Sequence, residues 1–313
     1  MFSVIFPGQG SQIVGMGKEF YEKYEIVKKL FREADDVLGI NISKIILEGP
    51  KDDLNQTVNT QPAIFLISYS IYQVIKNEFN INLDKGKYFA GHSLGEYCAL
   101  VCAGSLDFND ALYLLHERGK SMQEAVPLGE GKMLAILGAK VEDVKEMIKN
   151  LNNQKGICEI ANDNAEGQVI VSGDKITINL FQNFLKEKKI KSIPLKVSAP
   201  FHCSLMKKAA NNMREKILNT EFQKPVFEII NNVTAEPVIE PKKIKDLLIS
   251  QICATVKWRE SLIHMSNSGI NNYVEIGPGK VLTGMVKRTI KNSKCFSINS
   301  IADIKNLKNE LKK

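Results

Sequence analysis

A serine stands between two glycines in Gly91-His92-Ser93-Leu94-Gly95, directly after the strand-like run Lys87-Tyr88-Phe89-Ala90. The next stretch, Leu94 to Ala103, is rich in helix formers with apolar residues on one face. Passing from strand to helix in so few residues demands a sharp turn, and the G-x-S-x-G spacing fits a nucleophile elbow. Glycines are needed because a Cβ two residues either side of the serine would clash. The serine oxygen then projects above the strand ends, towards backbone N–H groups at the helix start. A βα turn with a capping serine fits the same five residues, so the elbow alone does not decide the matter.

The surrounding chain supports an α/β layer. Phe2-Ser3-Val4-Ile5-Phe6 reads as a strand running into the glycine-rich loop Pro7 to Gln12. Phe20, Tyr24, Val27, Phe31, Ala34 and Leu38 recur at three- and four-residue steps and predict one helix. A second helix is expected from about Pro62 to Phe79, with Pro62 near its first turn. A third runs from about Asp107, a candidate N-cap, to Ala125. Strand–helix alternation of this kind predicts a largely parallel sheet.

Between Pro127 and Pro200 the rhythm changes. Strands are expected at Met133–Leu137, Ile157–Ala161, Gln168–Ser172 and Ile190–Val197, with helices at Val141–Leu151 and Ile176–Lys188. The order β-α-β-β-α-β is ferredoxin-like. The expected architecture is therefore a hydrolase-like α/β catalytic domain from residues 1–128 and 198–313, holding an inserted ferredoxin-like domain at 129–197. After the insertion, strands at Val226–Asn231 and Tyr273–Ile276, a helix from about Lys242 to Ala254 and a lysine-rich amphipathic end resume the α/β pattern.

Several function classes are disfavoured. No leader segment or membrane-length apolar run is evident, and the six cysteines contain no C-x-x-C pair. A cytoplasmic protein with reduced thiols is expected. The net charge of +7 admits an acidic partner, but the cations are mostly lysine and there is no basic stripe interleaved with aromatics. Nucleic acid is not an expected partner. Gly8-Gln9-Gly10 lacks the spacing of a dinucleotide loop, and Gly119-Lys120-Ser121 lies inside a helix with Leu114 where a P-loop needs glycine.

A nucleophilic serine needs a base. His116 lies beside Glu117, where a surface ion pair is expected, and His264 sits at a helix end without a companion motif. His92 adjoins Ser93 and is better placed to support the turn. His202, in Ser198-Ala199-Pro200-Phe201-His202, occupies a loop at the junction between the two domains, where pockets form. No acid stands in a convincing position to complete a triad, but a carbonyl or amide can orient an imidazole equally well. The first-strand loop can supply a backbone N–H to an oxyanion. Arg118 has Leu114, Leu115, Met122 and Ala125 as helical neighbours, which puts its guanidinium on an apolar face. A planar fork there suits a substrate carboxylate, or else an internal ion pair, with Glu275 as a candidate.

Together "FPGQGSQIVGMG", "TQPAIF", "GHSLGEYCAL", "ERGKSMQEAVP", "NDNAEGQVIVSG", "VSAPFHCSLM" and "VEIGPGKVLTGMVKR" resemble the malonyl-CoA:acyl carrier protein transacylases of type II fatty acid synthesis, in family order over nearly the whole chain. The resemblance implies that Ser93 carries the acyl group, that His202 is its base and that the Gln251 carbonyl orients that base. It implies that the Gln9 and Leu94 amides bind the oxyanion and that Arg118 binds the free carboxylate of the malonyl group. Met122, Asn162 and His92 join the substrate-binding pocket. It further implies malonyl-CoA and the phosphopantetheine thiol of an acidic acyl carrier protein as reaction partners, no cofactor or metal, no membrane, and a monomer. A serine hydrolase using water as acceptor, and a catalytically silent docking module, are the competing readings.

Overall fold

The computed structural model describes residues 1–83, 85–151 and 156–310; the last three lysine-rich positions, 311–313, fall outside them. The strands are β1 (Phe2–Phe6), β2 (Gly86–Gly91), β3 (Gly131–Leu137), β4 (Cys158–Ala165), β5 (Gln168–Asp174), β6 (Lys191–Pro194), β7 (Glu228–Ile230), β8 (Pro237–Val238), β9 (Asn272–Ile276) and β10 (Lys294–Ile298). Six of them form one sheet in the order β10-β9-β1-β2-β7-β8, parallel throughout except for β8 at one edge. β1 is central, with Val4 opposite Phe89 on one side and Val274 on the other. Val4, Ile5 and Phe6 are fully buried, as a strand covered on both faces requires.

The other four strands make a second, antiparallel sheet in the order β4-β5-β3-β6. Its two faces have different tasks. Leu134, Ile136, Val169 and Val171 pack on Val144, Ile148, Phe181 and Leu185 from the Val141–Leu151 and Lys175–Glu187 helices. The alternate residues Met133, Ala135 and Ile170 turn towards the larger core. Period-two alternation along β3 and β5 thus builds a small core on one side and a wall for the site on the other. Asn162 bridges to Val256, tying the small sheet to the segment just before the Trp258–Asn267 helix.

Helix expectations are refined in three places. The run from Phe20 to Leu38 is two helices, Lys18–Lys23 and Glu25–Leu38, separated by Tyr24 in an extended conformation. Periodicity missed the break because both pieces bury the same stripe, including Phe20, Val27 and Phe31. The helix around Pro62 begins earlier, at Thr57, which places the proline inside it. Pro62 has no N–H to give the Val58 carbonyl, and the His116 ring lies near that carbonyl. Glu117 pairs with Lys216 at 3.2 Å. The third helix, Phe108–Gln123, is capped as expected: Asp107 Oδ1 accepts from the Asn109 and Asp110 amides. Gly119 within it faces the Thr57 carbonyl so closely that a Cβ would collide, so this glycine exists for close helix packing. Elements that sequence patterning did not resolve are short or peripheral: helices Ile42–Glu48, Lys51–Asn55 and Trp258–Asn267, and strands β8 and β10. Among the described residues no helix is long and apolar enough to cross a membrane, and all six cysteines are unpaired.

Candidate active site

The parallel strands deliver the elbow. β2 ends at Gly91, and Ser93 follows in the left-handed region at φ 53°. A side chain at Gly91 would fall on the backbone of Gly95, and one at Gly95 would strike the Phe6 and Pro7 carbonyls. Both glycines are thus dictated by the turn. A non-glycine residue at this φ costs about 1–3 kcal/mol, and the surroundings hold it there. His92 N–H donates to the Phe6 carbonyl at 3.0 Å, and Ser93 N–H donates to Asn232 Oδ1 at 2.7 Å. Asn232 Nδ2 returns a bond to the Gly91 carbonyl at 2.8 Å. Asn232 follows β7, the neighbour of β2, so the two strand ends meet where Ser93 stands.

His202 reaches Ser93 from the loop after β6, itself at φ 57°. The loop is anchored to the small sheet, since Glu159 on β4 accepts from Ser204 N–H at 2.9 Å and from its hydroxyl at 2.5 Å. His202 Nδ1–H donates to the Gln251 carbonyl at 2.9 Å. That bond fixes the tautomer and leaves Nε2 as an acceptor, 2.8 Å from Ser93 Oγ. Burial and the nearby Arg118 cation push the His202 pKa down to about 3. The imidazole is therefore neutral, with its Nε2 lone pair facing Ser93 Oγ.

Arg118 is 1% exposed. Its Nη1 donates to Gln61 Oε1 at 2.7 Å, while Nη2 donates to Ser93 Oγ at 3.1 Å and to Gln251 Oε1 at 2.9 Å. Nε has no partner. No described carboxylate lies within ion-pairing distance of the guanidinium. Glu275, the candidate internal partner, is engaged elsewhere: it accepts from the Leu282 and Thr283 amides. A buried cation bonded only to neutral acceptors is poised for an anion.

Eight of the nine singled-out residues line one cavity of about 470 Å³: Gln9, His92, Ser93, Leu94, Arg118, Met122, Asn162 and His202. Gln251 stands behind His202. Leu94 opens the Gly95–Cys102 helix, so its amide has no carbonyl one turn back to bond; the Ser93 amide is already taken by Asn232. His92 Nε2–H donates to Asn164 Oδ1 at 2.8 Å, and its ring meets Trp258 edge-on at 5.7 Å. His264 lies elsewhere, against Tyr88. Sequence reasoning missed Gln61, Asn231, Asn232 and Glu96. Glu96 is fully buried and accepts from Asn231 Nδ2, Asn232 N–H and Gln251 Nε2; burial pushes its pKa up to about 7. Among the described residues, no cluster of three or more His, Cys, Asp or Glu is placed to hold a metal ion.

The profile of the acyl transferase domain family matches residues 3–312. The chain is 41% identical to the malonyl CoA-acyl carrier protein transacylase of Bacillus subtilis, over 94% of this chain and 92% of that protein. The acyl-carrier-protein-S-malonyltransferase of Bartonella henselae superposes with a TM-score of 0.96 at 39% identity, covering 100% of both chains. A malonyl-transacylase solved in complex with a type II PKS acyl-carrier protein superposes at 0.94, with 38% identity over 98% of this chain and 99% of that one. With a serine, a histidine and a buried arginine meeting in one cavity, and with identity of this level end to end, the chain belongs to the malonyl CoA-acyl carrier protein transacylase family of acyl transferases.

Proposed function

We propose that the protein moves a malonyl group from malonyl-CoA to the phosphopantetheine thiol of an acyl carrier protein through a malonyl-serine at Ser93. The observation that carries this reading is the 3.1 Å bond from Arg118 Nη2 to Ser93 Oγ. One methylene separates the two carboxyl carbons of a malonyl group. A thioester carbon in contact with Ser93 Oγ therefore leaves the free carboxylate within reach of the same guanidinium.

The steps follow from the hydrogen bonds. His202 Nε2 takes the Ser93 proton as Oγ attacks the thioester carbonyl. The Gln9 and Leu94 amides receive the developing oxyanion. The thiol of coenzyme A leaves with the proton from His202. The carrier thiol then gives its proton to His202 and attacks the acyl-serine, restoring Ser93. Gln251 keeps the imidazole aligned in both halves, and Met122, Asn162 and His92 shape the pocket. Nucleophilic and acid–base steps suffice, so no cofactor is called for. An acidic carrier suits the net charge of +7, and we read the protein as a cytoplasmic monomer. The finer architecture we read is a hydrolase-like catalytic domain at 1–128 and 198–313 with a ferredoxin-like insertion at 129–197; the β4-β5-β3-β6 order with both helices on one face supports it.

Intact-protein mass spectrometry after mixing with malonyl-CoA tests the proposal. A single malonyl adduct is expected, stable in buffer and discharged on adding carrier protein. Loss to water at the same rate with and without carrier would make the protein a hydrolase instead.

The two histidines should separate cleanly. His202→Ala is expected to slow acylation by about 10²–10⁴-fold, the range for loss of a general base. His92→Ala removes the Asn164 bond and the Trp258 contact, and should lower thermal stability more than it lowers the acylation rate. Rate constants and melting temperatures of both variants check this; a slower reaction in His92→Ala than in His202→Ala reverses the assignment.

A further inference from the structure

The Glu96 carboxylate lies beneath the reacting pair, 1% exposed, and both of its oxygens face only donors. Asn231 Nδ2 reaches Oε1 at 2.5 Å; Asn232 N–H and Gln251 Nε2 reach Oε2 at 3.1 and 2.7 Å. Two of those donors belong to residues that serve the site directly. Asn232 holds the Ser93 amide at 2.7 Å, and the Gln251 carbonyl holds His202 Nδ1 at 2.9 Å. The Gln251 side chain also spans two charges, giving its Nε2–H to Glu96 while its Oε1 accepts from Arg118 at 2.9 Å. Glu96 is thus one amide away from the buried cation.

We propose that Glu96 is a positioning residue for acylation: as an anion it locks Gln251 and Asn232, and through them the His202 base and the Ser93 elbow, while offsetting the Arg118 charge. A proton on the carboxyl would put an O–H donor among three N–H donors and weaken the bonds that hold Gln251 and Asn232. The charged and titratable groups bearing on Glu96 are Arg118 from the Phe108–Gln123 helix, Tyr97 beside it, and His202 across Gln251. The segments carrying Asn231, Asn232 and Gln251 present neutral amides to it. Burial pushes the Glu96 pKa up to about 7, so the anion is lost as pH falls through neutrality. Burial and the Arg118 cation push the His202 pKa down to about 3, so its own limb is expected below that of Glu96. An acid limb that is present in the native enzyme and absent from Glu96→Gln reports Glu96 rather than His202.

The proposal rests on Ser93 and His202 being the reacting pair, and the test separates the two ideas. The rate of malonyl-enzyme formation is measured by quenched intact mass from about pH 5 to about pH 9. In the native enzyme it should fall about tenfold per unit below about pH 7, as one proton is taken up. Glu96→Gln, which cannot ionise, should be slower at high pH by about 10–100-fold, the cost of one hydrogen bond to a buried charge, and level across the range. Glu96→Asp keeps the charge and should keep a limb. A native profile that is flat down to about pH 5 overturns the proposal whether or not the variants fold. So does a Glu96→Gln enzyme with the native rate and limb. A malonyl adduct persisting on Ser93→Ala would bring down both readings, whereas its absence alongside a flat native profile removes only the role of Glu96.

Discussion

Ser93→Ala is expected to take up no malonyl label and to lose about four to six orders of magnitude in kcat, the scale of a deleted nucleophile. Alanine keeps the Cβ, so the strained φ of 53° is unchanged, as are the bonds from the Ser93 backbone to Asn232 and Gln251. What disappears is the oxygen between His202 Nε2 and Arg118 Nη2. Malonyl-CoA should still bind, since the cavity wall and the guanidinium remain, and Nη2 is released for the carboxylate. Equilibrium binding and intact mass measured on the same preparation check both halves. A full malonyl adduct on the variant would move the nucleophile elsewhere; loss of binding together with loss of labelling would mean that Ser93 also organises the pocket.

The readable parts of this molecule were those where backbone geometry dictates residue type. Gly91 and Gly95 announce the elbow because no other residue fits between the strand end and the Phe6–Pro7 backbone. Asp107 announces a helix start for a similarly local reason: its side chain completes the first turn. Arg118 was legible as a buried cation from its apolar helical neighbours alone. Its partners were not. Gln61 and Gln251 stand 57 and 133 residues away along the chain, and periodicity carries no information about such pairings. Glu96 was hidden differently. An acidic residue in the first turn of a helix reads as an ordinary complement to the helix dipole. Here every residue from Gly95 to Cys102 is buried, so no polar face marked the carboxylate as unusual. Asn231 and Asn232 gave one usable signal, two amides directly after a strand, at the end of the sheet where ligands of α/β proteins gather.

Selectivity between malonyl and acetyl thioesters is expected to rest on Arg118. With malonyl bound, the carboxylate can accept two N–H bonds from the guanidinium, whose Nε is without a partner. An acetyl group offers nothing in that place and leaves the cation with only the neutral acceptors Gln61, Ser93 and Gln251. Removing one partner of a buried charged pair costs about 3–5 kcal/mol, or about 10²–10³-fold and upward in kcat/KM. Arg118→Ala should therefore lower kcat/KM for malonyl-CoA by that factor while leaving acetyl-CoA nearly unchanged or somewhat better. Two effects oppose one another in the acetyl reaction. Loss of the cation frees a lone pair on Ser93 Oγ and relieves the part of the His202 pKa depression that burial does not cause, which favours attack. It also deprives Gln251 Oε1 of a donor, which loosens the residue that aligns His202. The first acts directly on the reacting atoms and the second through one intervening group, so the balance tips towards retained acetyl transfer. Arg118→Lys should recover only part of the malonyl rate, because a single ammonium cannot bond Gln61, Gln251 and a carboxylate in one plane. Measuring kcat/KM for both thioesters in all three proteins decides it: a malonyl-to-acetyl ratio unchanged in Arg118→Ala would show that another group reads the carboxylate.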